Sequence, residues 1–204
     1  MPISLKKGHG VSLQKKDYDL SLVTIGLGWD CIEDSSQSAE WDLDVIAFLC
    51  DSNRKVKDLG TVQGGKPTLL NGDVVFFNSL KHKSGQIWLT GDNRTGEGDG
   101  DDEQIIVKLD TIPEQYHLIA FIVQIYQGIK NGQDFSGVNN AFIRAVDKTG
   151  REMARFELSG SQFTKSCSMI FAELTRENNA WKFSAVGEPF ASDSFVHILK
   201  ERYL

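Results

Sequence analysis

The apolar residues of this chain come in short, frequently interrupted runs, and that punctuation limits the possible folds more than any other feature. Runs rich in Val, Ile, Phe and Trp are cut by Gly, Asn, Asp or Pro before they reach helical length. β-Branched and aromatic side chains suit a pleated, half-buried surface, and the interrupting residues suit tight turns. The pattern predicts strands at Leu22–Leu27, Leu43–Cys50, Val74–Asn78, Ile87–Thr90, Gln104–Leu109, Leu118–Tyr126, Asn140–Asp147, Glu152–Leu158, Met169–Thr175 and Trp181–Ala185. Lys148-Thr149-Gly150 and Arg176–Ala180 read as hairpin turns, the second with Asn178-Asn179 suited to positive φ. Helix is expected in two short pieces. Thr111-Ile112-Pro113-Glu114-Gln115 opens one turn with Thr111 as its cap. Ser194–Leu204 forms a terminal helix with Phe195, Ile198 and Leu199 on one face. About ten strands of this length predict an all-β fold, a sandwich of two sheets.

A chain of 204 residues with 40% hydrophobic content reads as a single domain spanning residues 1–204. Lys6 and Lys7 precede Gly-His-Gly-Val-Ser rather than an apolar run, so no signal peptide is expected. The longest apolar stretch, around Leu118–Ile125, is broken by Gln124 and is far short of a membrane span, so no direct insertion is expected. Cys31, Cys50 and Cys167 are odd in number and widely spaced, which reads as reduced thiols in a cytoplasmic protein. Asn93-Arg94-Thr95 matches a glycosylation acceptor, but without a secretion signal it carries little weight. A pI near 5.2 without a basic stripe argues against nucleic acid as a partner.

The acidity is concentrated in one place. From Asp92 to Glu103 there are six acids, three glycines and one arginine, a formal charge of -5 against -6 for the whole chain. Everything else sums to about -1, by subtraction of the segment from the total. Carboxylates this crowded repel one another unless water, salt or a bound cation screens them. Glycines let the chain turn back and aim backbone carbonyls inward. Carboxylates with carbonyls make the all-oxygen shell that Ca²⁺ takes. Strands predicted close on either side anchor the segment more tightly than a solvated tether requires. Asp42 and Asp44 stand at the start of a strand, where residues two apart share a face; Leu43 and Val45 take the other. That pair is either a solvated edge or half of a cation site.

Among cations, Mg²⁺ keeps its waters and needs few carboxylates, and zinc wants His or Cys. His9, His82, His117 and His197 are scattered without ligand spacing. Calcium is the best match. An EF-hand starting at Asp92 would place Arg94, Gly96 and Glu97 at its third, fifth and sixth positions and lacks helical flanks. Gly98-x-Gly100-x-Asp102 echoes the glycine-rich repeat of calcium-binding β-helices but occurs once, and that fold needs stacked copies.

A third pattern covers essentially the whole chain. Gly91 through Glu103, Trp41-Asp42-Leu43-Asp44, Asp73-Val74-Val75-Phe76-Phe77-Asn78, Leu5-Lys6-Lys7-Gly8 and Ile25-Gly26-Leu27-Gly28-Trp29-Asp30 together resemble the tellurium-resistance TerD family. The resemblance continues through Phe135–Arg144, Arg155–Leu158 and the tryptophan strand ending at Gly187. It implies a β-sandwich, calcium-binding, cytoplasmic stress-response protein that is not an enzyme. Carried over by motif, the calcium ligands come from Asp42, Asp44, Asp92, Asn93, Gly96, Glu97, Gly98, Asp99, Gly100, Asp101, Asp102 and Glu103, with Asn78 nearby. The family arrangement implies two ions, which would take the formal charge from -6 to -2. Ile46 and Ser79 depart from the family, standing where many relatives carry a small polar residue and a second Asn. The implied partners are other proteins of the same stress-resistance system, membrane-bound ones included, and the calcium-ordered loop would act as a sensor or scaffold. Two competing readings are a calcium-mediated ligand-recognition module and a carboxylate-metal hydrolase. For the second, the sequence offers no Gly-x-Ser-x-Gly elbow and no phosphate-binding loop.

Overall fold

In the computed structural model, the structure describes residues 3–31, 41–90, 100–157, 163–178 and 180–204. Fourteen strands run in chain order among these residues. They are β1 Ile3–Leu5, β2 Gly10–Leu13, β3 Val23–Cys31, β4 Leu43–Cys50, β5 Val62–Gln63, β6 Lys66–Pro67 and β7 Val74–Val75. After them come β8 Ile87–Leu89, β9 Glu103–Val107, β10 Leu118–Ile125, β11 Val138–Val146, β12 Glu152–Glu157, β13 Ser168–Glu177 and β14 Ala180–Phe190. Two short helices, α1 Gly128–Asn131 and α2 Phe195–Arg202, complete the order. One six-stranded sheet has the order β1-β12-β11-β3-β9-β8 and the other β2-β14-β13-β10-β4-β7, with β5-β6 a small separate hairpin. This is the expected two-sheet sandwich. Every pairing in the large sheets is antiparallel except β1 with β12.

The central strands explain the least alternating part of the sequence. Every residue of β4 and of β10 is buried. Leu43, Val45, Ala47 and Leu49 of β4 face the core between the sheets, as do Ile119, Phe121, Val123 and Ile125 of β10. Ile46, Phe48 and Cys50, with Leu118, Ala120 and Ile122, face outward into a second apolar cluster covered by α2. Strands covered on both faces read as continuous apolar runs. The terminal helix buries Phe195, Ile198 and Leu199 as its spacing predicts, and Tyr203 follows them onto Phe48, ring centroids 5.5 Å apart. Cys50 and Cys167 are buried free thiols, and burial pushes both thiols up from their ordinary value. Among the described residues no helix is long and apolar enough to cross a membrane.

Three local expectations change. The helical turn lies at Leu109–Thr111 and ends at Thr111 rather than starting there. Ile112 precedes Pro113, whose ring pushes its neighbour to extended backbone (ψ 126°), so no helix runs through. The strand expected over Val74–Asn78 stops at Val75, because Phe76 and Ser79 bond each other across a tight turn, N–H to carbonyl at 3.2 and 2.8 Å. β1 and β2 have no forecast counterpart: each buries a single leucine, Leu5 or Leu13, and leaves the rest exposed or partly so. Gly8, at φ 82°, turns the chain between them from the edge of one sheet to the edge of the other.

Beside β7 lies a buried polar network. Asp73 accepts from the Tyr116 hydroxyl at 2.7 Å and the Asp58 N–H at 2.9 Å, and lies 3.3 Å from His82 Nε2. Burial pushes the Asp73 carboxyl up, but these bonds and the nearby Lys83 charge outweigh it and hold the group at about 2. A carboxyl held low in the folded state stabilises it above the unfolded value near 3.9, and the contribution is lost as pH falls through the folded value. The melting temperature of the native chain is therefore expected to fall more steeply from about pH 4 to about pH 2 than that of Asp73→Asn. Parallel slopes in acid melts of the two proteins would contradict this assignment.

Candidate metal centre

β8 and β9 pair directly, Leu89 opposite Ile105, so the acid-glycine segment is the connection of a hairpin. Of the proposed ligands, Asp92, Asn93, Gly96, Glu97, Gly98 and Asp99 lie outside the described residues, and Gly100 through Glu103 lie within them. The described part folds over the outer face of β3. The Asp102 N–H donates to the Leu27 carbonyl at 2.8 Å, and its carboxylate accepts the Trp29 N–H at 2.9 Å. Asp101 sets its carboxylate, 2% exposed, against Arg144 Nε at 2.7 Å and Gln104 Nε2 at 3.1 Å.

Gly26 and Gly28 make this approach possible. A Cβ on Gly26 would lie 2.1 Å from the Asp101 carboxylate, and one on Gly28 would lie 2.6 Å from the Gly100 carbonyl. Alternate glycines on a strand point to the same face, and here that face is where the acid segment rests. Gly100 itself sits at φ 115°, a conformation side chains rarely adopt.

Glu103 takes the opposite direction. It is 2% exposed and faces into the sandwich, where its carboxylate accepts the Val45 N–H of β4 at 2.5 Å and so ties the two sheets together. Leu43 and Val45 point into the core as expected. Asp44 turns to the other side of β4, buried, accepting from Gln124 Nε2 at 2.9 Å; Gln124 in turn accepts the Phe195 N–H that starts α2. Asp42 is half-buried at the head of β4, its carbonyl accepting the Tyr126 N–H at 2.8 Å. Trp41 fixes that position, its ring packed where Gly137 leaves room. Asn78 is exposed in the turn after β7. The structure thus sets Asp101 and Asp102 on the outer face of β3, Glu103 inside the sandwich on β4, and Asp44 on the far side of β4. Among the described residues no group of three or more His, Cys, Asp or Glu side chains stands at metal-binding spacing.

Several contributors escaped the sequence reading of the ligands. Arg144 bridges Asp101 and Glu152 (3.1 Å), and Glu152 in turn holds Arg155 at 2.8 Å. The Arg155 guanidinium lies 4.1 Å from the Phe142 ring centroid. Asp30 accepts from Asn140 at 2.6 Å. Bonding to Asp101 raises Arg144 above its ordinary value despite burial, and bonding to Arg155 and Arg144 lowers Glu152. Asp102 moves up, chiefly through burial and then through the charges of Asp30 and Asp101, against the Trp29 N–H. The signal for these contacts was present as Gly26-x-Gly28 and as Arg144, both inside motifs of the resemblance, but nothing in their spacing says that one packs beneath the loop and the other clasps it. Of the aromatics near the loop, Trp41 and Phe76 are buried, while Phe77 and Trp88 are half-buried.

Chemically the described cluster offers oxygen donors only. On the outer face of β3, Asp30, Asp101, Asp102 and Glu152 set four negative charges against Arg144 and Arg155, a net of -2. A hard divalent cation fits such a set, and a thiolate- or imidazole-seeking metal does not.

The sequence pattern of the TerD domain matches residues 1–202. Tellurium resistance protein TerX of Serratia marcescens is 61% identical over 210 residues, covering 98% of this chain and 99% of that protein. Tellurium resistance protein TerD of the same organism is 42% identical over 192 residues, covering 94% and 92%. A crystal structure described as a homologue of telluride resistance protein (TerD) from Streptomyces coelicolor A3(2) superposes with a TM-score of 0.63 at 24% identity. It covers 86% of this chain and 94% of that one, and it bears on the fold alone. With a match across nearly its whole length and relatives this similar, the chain belongs to the TerD domain family.

Proposed function

We propose that this protein is a calcium-binding stress-response protein of the tellurium-resistance type, without catalysis, acting in the cytoplasm. The observation that carries the reading is the seating of Gly100–Glu103: a strand made smooth by Gly26 and Gly28 receives an acid-rich hairpin connection whose donors are all oxygen. Asp101, Asp102 and Glu103, with Asp42 and the acids and carbonyls of residues 92–100, would hold Ca²⁺; two ions match the surplus of charge. The bound ion supplies charge neutralisation. The chain's own residues do the positioning: Trp29 and Leu27 fix Asp102, Arg144 fixes Asp101, and Val45 fixes Glu103. Asp44, on the far side of β4, supports the start of α2 through Gln124. Closing the hairpin connection gives other proteins of the resistance system, membrane-bound ones included, a surface to recognise.

The test is growth on tellurite. A strain lacking this protein is complemented with the native chain or with Asp102→Asn/Glu103→Gln, both checked for equal abundance. Restored growth with the native chain alone is the expected result. Equal restoration by both would separate resistance from the acid segment and overturn the proposal.

A further inference from the structure

A cleft of about 610 Å³ lies where the β13–β14 hairpin meets the segment before β10. Pockets for small molecules span about 300–1,000 Å³. Its fixed point is Arg176. This residue pairs with Trp181 across the hairpin, and its N–H donates to the His117 carbonyl at 2.8 Å. Its guanidinium stacks on the Trp181 ring, 4.4 Å from the centroid. Nε donates to the Tyr116 carbonyl at 3.1 Å, and one Nη2 serves the carbonyls of Ile112 and Pro113 at 3.0 and 3.3 Å. A guanidinium has five N–H donors, and among the described residues the two on Nη1 have no protein acceptor.

Carbonyls satisfy donors without cancelling the charge. No carboxylate among the described residues pairs with Arg176; Glu114, on the rim, acts on it only at longer range. Burial lowers the guanidinium from its ordinary value, the mark of a cation held partly out of water. Lys15, Asp110, His117 and Asn178 line the same cleft, and Lys15 is paired with Asp110 at 3.1 Å, which leaves Arg176 the cation there without a carboxylate partner among the described residues. Glu114 is exposed, so its charge is screened by solvent. These side chains come from separate elements: Lys15 follows β2, His117 precedes β10, and Arg176 and Asn178 belong to the β13–β14 hairpin. With Nε and Nη2 already on carbonyls, Arg176 cannot offer the paired fork from two nitrogens that a carboxylate takes, and only Nη1 is left for an oxyanion that gathers its other donors from neighbouring elements. The cleft also exceeds what a bare oxyanion fills.

We propose that this cleft binds the phosphoryl group of a phosphorylated small molecule, with Arg176 as the preset charge and Lys15 and His117 as further donors. The stack on Trp181 and the three carbonyl bonds hold the guanidinium in place before the ligand arrives. Preset geometry reduces the ordering cost of binding. The site is independent of calcium.

Nuclear magnetic resonance of the full chain in chelator decides it, following the Arg176 Nε–H and Trp181 indole N–H signals during titration with inorganic phosphate, with chloride at matched ionic strength as control. The expected result is saturable movement of both signals with phosphate, absent with chloride and with acetate. Lys15→Ala, which leaves the Arg176 contacts in place, is expected to weaken the midpoint about tenfold, and Arg176→Gln to abolish saturation. If Arg176→Gln fails to fold, the native chain and Lys15→Ala still give the answer. Non-saturating movement, the same movement with chloride, or an unchanged midpoint in Lys15→Ala would each overturn the proposal and leave Arg176 a cap on the core only.

Discussion

Phe48→Ala is expected to cost about 3–5 kcal/mol of stability, the range for removing a fully buried aromatic ring. Phe48 is fully buried on the outer face of β4, with Tyr203 edge-on at 5.5 Å and Phe195 tilted at 6.2 Å. Both partners come from the C-terminal segment, so the ring is the bolt that holds α2 to the sheet. At this chain length each kcal/mol moves the melting temperature by about 2–4 °C, giving a fall of about 6–20 °C. Val62→Ala serves as the control: Val62 is 69% exposed on the β5–β6 hairpin, and its change is expected within about 0.5 kcal/mol. Thermal melts of the two variants side by side check this. A Phe48→Ala protein that melts with the control would mean that α2 contributes nothing to the cooperative unit.

The second large effect is the one the proposed calcium binding predicts. A ligand that binds only the folded chain stabilises it by about 2.7 kcal/mol at a hundredfold excess over its dissociation constant. Each occupied site is then worth about 5–11 °C in melting temperature. Five acids lie between Glu97 and Glu103, and under the proposed reading a bound cation would screen their mutual repulsion. Magnesium should do much less, because it gives up its waters reluctantly. Native melts in chelator and in millimolar calcium should separate by this margin, and those of Asp102→Asn/Glu103→Gln should coincide. Native curves that overlay would remove calcium from the account.

The sequence made the sandwich legible because its strongest segments obey simple rules. β13 and β14 meet at a turn where Asn178 takes φ 51°, and the turn after β11 places Gly150 at φ 86°, both as turn chemistry requires. The continuous runs of β4 and β10 were read as strands, although periodicity could not say that one face meets the other sheet and the second meets α2. β1 and β2 were illegible since each buries one leucine, which is no pattern. Pro113 rules out a helical turn running on from Thr111, because the Ile112-Pro113 dipeptide itself disfavours helical backbone at Ile112. For the acid segment, residue type gave the donor atoms but not the directions in which they point. Asp101, Asp102 and Glu103 are consecutive, yet one meets Arg144, one meets β3 and one reaches across to β4. Asp42 and Asp44 stand two apart in sequence, and Asp44 accepts from Gln124 across β4 and β10. Such partners lie far apart in sequence, and only the folded register brings them together.

Isothermal titration of calcium into chelator-treated protein tests the central claim most directly. The account predicts saturable heat with two ions per chain for the native protein, and loss of that heat in a folded Asp102→Asn/Glu103→Gln variant. A native chain, verified as folded, that gives only heats of dilution up to millimolar calcium would contradict it.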